Sequence, residues 1–165
     1  KKILSIDLGK VNQYSLEELN PYLKSDIYIV FGASYIKSEL IDFLIQNKAL
    51  NIHMGFSPYY RGTDCNFWAM YDGHPGYVGG TVMKLSKKID AGNILLKSKA
   101  GNCKNKFDYM MSSCKNVIDD LTKFLSNKPK LSFKKNNLDK CIRFTKRNDF
   151  RVNHIKKFMK ALNKI

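Results

Sequence analysis

Asn51 and His53 stand two residues apart in Leu50-Asn51-Ile52-His53, an apolar–polar alternation that predicts a strand ending at His53. Side chains two apart on a strand share one face. An amide donor and an imidazole placed there can grip a single carbonyl oxygen together. Asp90 lies further along in Ile89-Asp90-Ala91-Gly92, a turn that can bring a carboxylate to orient the imidazole or carry protons. Donors set where negative charge develops, beside a group that takes a proton from the nucleophile, suit attack on a carbonyl carbon. Alone, Asn-x-His is a weak pattern, because buried polar pairs more often serve structure and turn aspartates often cap their own turn.

The elements that must position these residues follow from the chain's periodicity. Ile3–Leu8 alternates and predicts a short strand. Ser15, with Glu18 three residues on, predicts a capping-box helix over 16–23. Asp26–Phe31 is nearly continuous in apolar residues, the pattern of a strand buried on both faces of a parallel sheet. A helix over about 37–46 and the strand 50–53 follow, and ligands of open α/β sheets lie at such a strand's C-terminal edge. Residues 58–62 read as loop, 63–71 as helix, and 80–85 with 93–98 as two strands bracketing the Asp90 turn. Phe107–Leu125 carries apolar residues at helical spacing. Beyond Pro129 the chain is basic and irregular, closing on a basic amphipathic helix over 154–162.

At 165 residues, with 44% hydrophobic and 26% charged positions, the chain is expected to form one domain, 1–165, with a motif core at 26–99 and a helical, basic part at 105–165. No stretch reaches the roughly 20 apolar residues of a membrane helix, and the early Asp7 argues against a signal peptide. Cysteines 65, 103, 114 and 141 lack metal-ligand spacing, so no metal is expected and reduced thiols in the cytoplasm are the default. The net charge of +15 fits an anionic partner, although the many lysines of the C-terminal half read as solvated surface. His74 and His154 read as ordinary surface or core residues, and Phe67, Trp68 and Tyr71 as a buried helix face. Ser57 has no triad partner in view, so serine acyl chemistry is not indicated.

Between the two ends of the candidate site run Asn51-Ile52-His53-Met54-Gly55-Phe56-Ser57-Pro58-Tyr59-Tyr60-Arg61-Gly62, Asn66-Phe67-Trp68-Ala69, Gly79-Gly80-Thr81-Val82 and Ile89-Asp90-Ala91-Gly92-Asn93-Ile94-Leu95. This order of words, spanning about 26–99, resembles the folate-dependent formyltransferase family, closest to its sugar N-formyltransferases. The resemblance implies an α/β fold: a Rossmann-like, mostly parallel sheet flanked by helices, lacking the family's first strand and Gly-containing phosphate loop. It implies formyl transfer from 10-formyltetrahydrofolate to a primary amine, with Asn51 and His53 on the oxyanion and Asp90 relaying the proton. Main-chain groups of Phe31, Gly32, Ala33, Ser34 and Ile36, and of Ser86, Lys87 and Ile89, are the expected folate-binding positions. Tyr60 and Arg61 would meet the acceptor, although Arg61 could equally brace its own loop.

The expected partner is a small anionic substrate, a nucleotide-linked amino sugar. Methionyl-tRNA and glycinamide ribonucleotide are alternative acceptors. Members acting on methionyl-tRNA carry a further C-terminal barrel, for which the residues after Ala100 look too few and too helical, and the chain is expected to be weak without preceding residues. A basic nucleic-acid-binding module is the competing class, disfavoured because no helix-turn-helix or RNP-like arrangement is present. No membrane association is expected. The oligomeric state stays open, a homodimer included.

Overall fold

A computed structural model describes residues 2–162; Lys1 and residues 163–165, the ends of the expected 1–165 unit, lie outside the described residues. Ser15 starts α1 (Leu16–Leu19) with both halves of the capping box, its backbone N–H donating to Glu18 Oε2 at 2.8 Å and its Oγ accepting from Glu18 N at 3.2 Å. The helix is shorter than expected because Pro21 supplies no N–H, and the chain tightens into a 3-10 turn over Asn20–Tyr22. Strand β1 is Ile29–Phe31, and α2 (Ser38–Gln46) buries Leu40, Ile41 and Leu44. Then come β2 (Leu50–His53), β3 (Tyr60–Gly62), α3 (Cys65–Tyr71), β4 (Gly79–Lys84) and β5 (Ile94–Lys99). The long α4 (Lys106–Ser126), β6 (Arg143–Thr145) and α5 (Val152–Leu162) complete the order.

The fold is α/β, with a sheet ordered β1-β2-β4-β5 and helices on both faces. Its parallel part is β1–β2, joined through α2. β2–β4 and β4–β5 are antiparallel, the latter because a turn without a crossover helix joins those two strands. Leu50, Ile52 and Val82 face Val117 and Leu121 of α4. On the opposite side Leu19, Leu40, Leu44 and Ala49 form a second core, with Tyr28 and Val30 against it.

Two expectations need correction. Residues 3–8 form no strand; Ile3 is 86% and Leu8 76% exposed, and only Leu4 and Ile6 reach the core, so alternation without a pairing partner leaves the segment without regular structure. Nor is β1 buried on both faces: Ile29 and Phe31 are 47% and 45% exposed, because β1 is an edge strand and α4 packs on β4 and β5 instead.

The segment read as loop, 58–62, contains β3, which pairs in parallel with β6 so that Gly62 stands opposite Thr145. A three-residue strand whose partner is so distant in sequence leaves no periodic signal. Gly62 sits at φ +92, and a Cβ there would run into the Thr145 carbonyl. Gly92, closing the β4–β5 turn, would likewise drive a methyl into the Lys84 carbonyl. Gly92→Ala should therefore cost about 2 kcal/mol or more through backbone displacement, whereas Gly76→Ala, into open space, should change stability by less than ~0.5 kcal/mol. Urea denaturation of both variants checks the contrast, and equal losses would refute it.

Candidate active site

The alternation of β2 turns Leu50 and Ile52 toward α4 and leaves Asn51 and His53 on the other face. Register extends that face across the sheet, with Thr81 opposite His53 and Lys97 opposite Thr81. The turn between β4 and β5 brings Asp90 over it, and Asp90 adopts φ 47, a left-handed conformation that aspartate tolerates better than most residues. The structure thus gathers all three candidate residues at one place. Asn51 Nδ2 donates to Asp90 Oδ1 at 3.1 Å, and the Gly62 backbone N–H donates to Asp90 Oδ2 at 2.9 Å. The same Oδ2 lies 3.3 Å from His53 Nδ1, with the two side chains 10% and 4% exposed.

His53 is held from both sides. Its Nε2 lies 2.9 Å from the Tyr60 carbonyl, which can only accept, so this nitrogen carries a hydrogen. Nδ1 then faces a carboxylate, and a proton has to lie between them for that contact to be a bond. The expected joint grip of Asn51 and His53 on one oxygen is modified accordingly: the Tyr60 carbonyl takes the Nε2 hydrogen, whereas one amide hydrogen of Asn51 remains free beyond its bond to Asp90.

Tyr60 is not a substrate contact through its side chain. It is fully buried, and its hydroxyl lies 3.2 Å from Asp72 Oδ2 and 2.8 Å from His74 Nδ1. Burial, then the Asp72 charge, pushes its phenol well above the usual range. Arg61 braces the loop, the second of its two expected roles: Nη2 donates to the Ile89 carbonyl at 2.6 Å, and the guanidinium lies 5.2 Å from the Phe144 ring centre. Cys65, buried near Asp90, has its thiol pushed well above its ordinary pKa by burial first and by that carboxylate second, which leaves it inert.

The expected folate positions form two neighbouring segments. Tyr35 Oη donates to the Lys87 carbonyl at 2.8 Å, tying 31–36 to 86–89. Phe31 and Ile89 are 45% and 42% exposed, and Gly32, at φ +61, has open space where a side chain would stand. Exposed main chain between two apolar side chains suits a flat, hydrogen-bonding heterocycle. Lys87 is paired with Asp42 at 2.6 Å, and Ile36 packs into the core, so both side chains are committed elsewhere.

Three contributors carried no assigned role in the sequence reading. Thr81 Oγ1 accepts from Ser57 N at 3.0 Å and donates to the Gly55 carbonyl at 2.7 Å, fixing the loop beyond His53; the Gly-Gly-Thr word was its signal. Lys97 donates to the Ser57 carbonyl at 3.3 Å and lies 4.6 Å from the Phe56 ring centre, with Lys99 at 6.0 Å. Burial lowers the Lys97 pKa, aided by the charges of Lys134 and Lys99. Asn136 reaches the Asp90 turn from beyond every motif word. His74 and His154 keep their expected bland roles, His154 packing its ring on Trp68 and Tyr71. Among the described residues no group of His, Cys, Asp or Glu is placed to hold a metal.

β6 is anchored by Arg143, which donates to both carboxylate oxygens of Asp72 at 2.8 and 2.6 Å and stacks 4.7 Å from Trp68. Removing it as Arg143→Ala should cost about 1.5–3 kcal/mol, the range for charged hydrogen bonds. Because β6 positions Gly62, urea melts should show the loss together with changed amide shifts at Gly62; unchanged Gly62 shifts would sever that link.

The family described as formyl transferase matches residues 12–106. A methionyl-tRNA formyltransferase of Desulforamulus reducens is 32% identical over 91 residues, covering 54% of this chain and 27% of that protein's length. Among solved structures, a 4-N formyltransferase from Francisella tularensis superimposes with a TM-score of 0.64 at 20% identity, over 83% of this chain and 57% of that one. A formyltransferase from Anoxybacillus kamchatkensis, in complex with UDP-4,6-dideoxy-4-formamido-L-AltNAc and tetrahydrofolate, gives 0.60 at 18% identity, over 90% and 72%. At these identities the structural likeness establishes the fold.

Proposed function

The chain belongs to the formyl transferase family, and on that premise we propose that it moves a formyl group from 10-formyltetrahydrofolate to the primary amine of a nucleotide-linked sugar. The observation that carries the reading is the Asp90 carboxylate shared by Asn51, His53 and Gly62. A tetrahydrofolate-bound relative supports the choice of donor. The exposed main chain of Phe31–Ser34 and of Ser86–Ile89 would hold it, and bound there it supplies an electrophilic formyl carbon. The remaining Asn51 amide hydrogen then meets the formyl oxygen, where negative charge grows as the amine attacks. The Asp90–His53 pair gives the proton held between Oδ2 and Nδ1 to the leaving nitrogen and takes the proton the amine releases in its place, so the pair ends as it began. The Tyr60 carbonyl keeps the His53 ring from rotating away from Asp90.

The nucleotide-sugar reading draws on the positive charge beside this face. Lys97 and Lys99 project from β5 on the same side as His53, Lys134 lies close enough to be felt, and no carboxylate pairs with any of the three among the described residues. Strands lie about 4.8 Å apart, so Lys97, two strands over from His53, stands roughly 10 Å away, suited to a phosphate when the amine is at the site. The Anoxybacillus relative holds a UDP-linked formamido sugar. Methionyl-tRNA is the second reading, favoured by the Desulforamulus relative. Four unbridged cysteines and the lack of any membrane-length apolar helix among the described residues fit work in the cytoplasm.

Asn51→Ala and His53→Ala should each lower turnover at least about a hundredfold with the circular dichroism spectrum kept. Substantial residual turnover in either would show that other groups hold the charge. Lys97→Ala with Lys99→Ala should raise KM for a nucleotide-linked amino sugar with little change in kcat, and added salt should imitate the effect. Formylation of methionyl-tRNA with none of any amino sugar would overturn the acceptor while leaving the chemistry in place.

A further inference from the structure

Asp90 holds a left-handed backbone in the turn before β5. Arg61 holds the Ile89 carbonyl beside it, and the segment after α4 holds the turn's other side. Lys134 and Ile94 exchange backbone hydrogen bonds, both at 2.8 Å, which lays residues 134–136 along the outer edge of β5. Asn136, 6% exposed, then donates its Nδ2 to the Asp90 carbonyl at 3.3 Å and to the Gly92 carbonyl at 3.1 Å. One amide carries two hydrogens, and the turn presents two carbonyls. The Asn136 Oδ1 is buried without a partner among the described residues, so the side chain is kept there for its donors alone. The same stretch continues into β6, whose pairing with β3 delivers the Gly62 N–H to the Asp90 carboxylate.

We propose that Asn136, outside the matched family span, is a positioning residue for the transfer reaction: its two N–H bonds lock the Asp90 turn so that the carboxylate stays against His53. It touches neither substrate nor reacting atoms. Without it the turn relaxes and Oδ2 leaves Nδ1, which slows the proton-transfer step without weakening either substrate. The inference rests on the transfer reading for its kinetics, but its geometry can be tested without turnover.

Two variants separate the donors from the packing. Asn136→Ala removes both donors and the volume. Asn136→Asp keeps the shape and points acceptors at two carbonyls. A displacement of about an ångström in a catalytic group costs on the order of a hundredfold, so kcat should fall about ten- to a hundredfold in both variants, with both KM values within about twofold. Asn136→Asp should be no better than Asn136→Ala. The His53 ring nitrogens, followed in long-range 1H–15N spectra of the intact chain, should shift at Nδ1 in both variants while Nε2 keeps its Tyr60 signature. Wild-type kcat in Asn136→Asp, or unchanged Nδ1 in both, would reduce Asn136 to packing. If the unmutated chain transfers no formyl group yet Nδ1 shifts in both variants, the positioning role stands and the transfer reading falls.

Discussion

A carboxylate removed from water has to be repaid in hydrogen bonds, and Asp90 is the group on which this molecule meets that demand. Its side chain is 10% exposed and receives Asn51, Gly62 and His53. Those donors come from two strands: Asn51 and His53 from β2, the imidazole held against the Tyr60 carbonyl, and the Gly62 N–H from β3, which the C-terminal segment completes. Each would be costly to bury without an acceptor. Their mutual satisfaction makes the charge tolerable and holds the chain segments in register, so the site is also a structural joint.

The sheet divides labour between its faces. Toward α4 it is apolar, with Val82 and Val117 fully buried. On the other face the row His53, Thr81, Lys97 carries an imidazole, a hydroxyl that anchors the next loop, and a cation that no carboxylate pairs with among the described residues. Period-two alternation lets one set of strands build a core and a polar surface together, and a one-residue slip would exchange the two. The register of β2 against β4 is thereby tied to chemistry as well as to packing.

Much of this was legible in the sequence because it is local. Leu50–His53 alternates, Ser15 and Glu18 announce a cap, and the Asp90 turn sits between two clear strands. The words from Asn51 to Leu95 carried the family resemblance, and the gathering of Asn51, His53 and Asp90 was foreseen from them. What was not legible depends on distance. β3 looked like loop because its partner lies beyond α4, and Asn136, in a plain Asn136-Asn137 pair, gave no hint of the turn it would hold. Tyr60, which the resemblance set beside Arg61 at the acceptor, has its hydroxyl drawn inward by Asp72 and His74, at and beyond the end of α3. Exposure of β1 was hidden for a related reason: apolar content shows that a strand can be buried, not what stands ready to cover it.

The pairing of residues 60–62 with 143–145 spans about half of the described chain. The β4–β5 hairpin and its turn close over a short loop, whereas this contact must wait for a long stretch of chain to return, and such closures come late and at greater entropic cost. The sheet can therefore exist for a time with Asp90 present but not yet met by the Gly62 N–H. The reverse holds in the folded molecule. Local opening is easiest where short elements with few buried contacts are held by a handful of bonds, which describes residues 134–145. Detachment of that arm would extinguish the site while leaving the core standing, so thermal inactivation should precede global melting and hydrogen exchange at Gly62 should outpace exchange along β4.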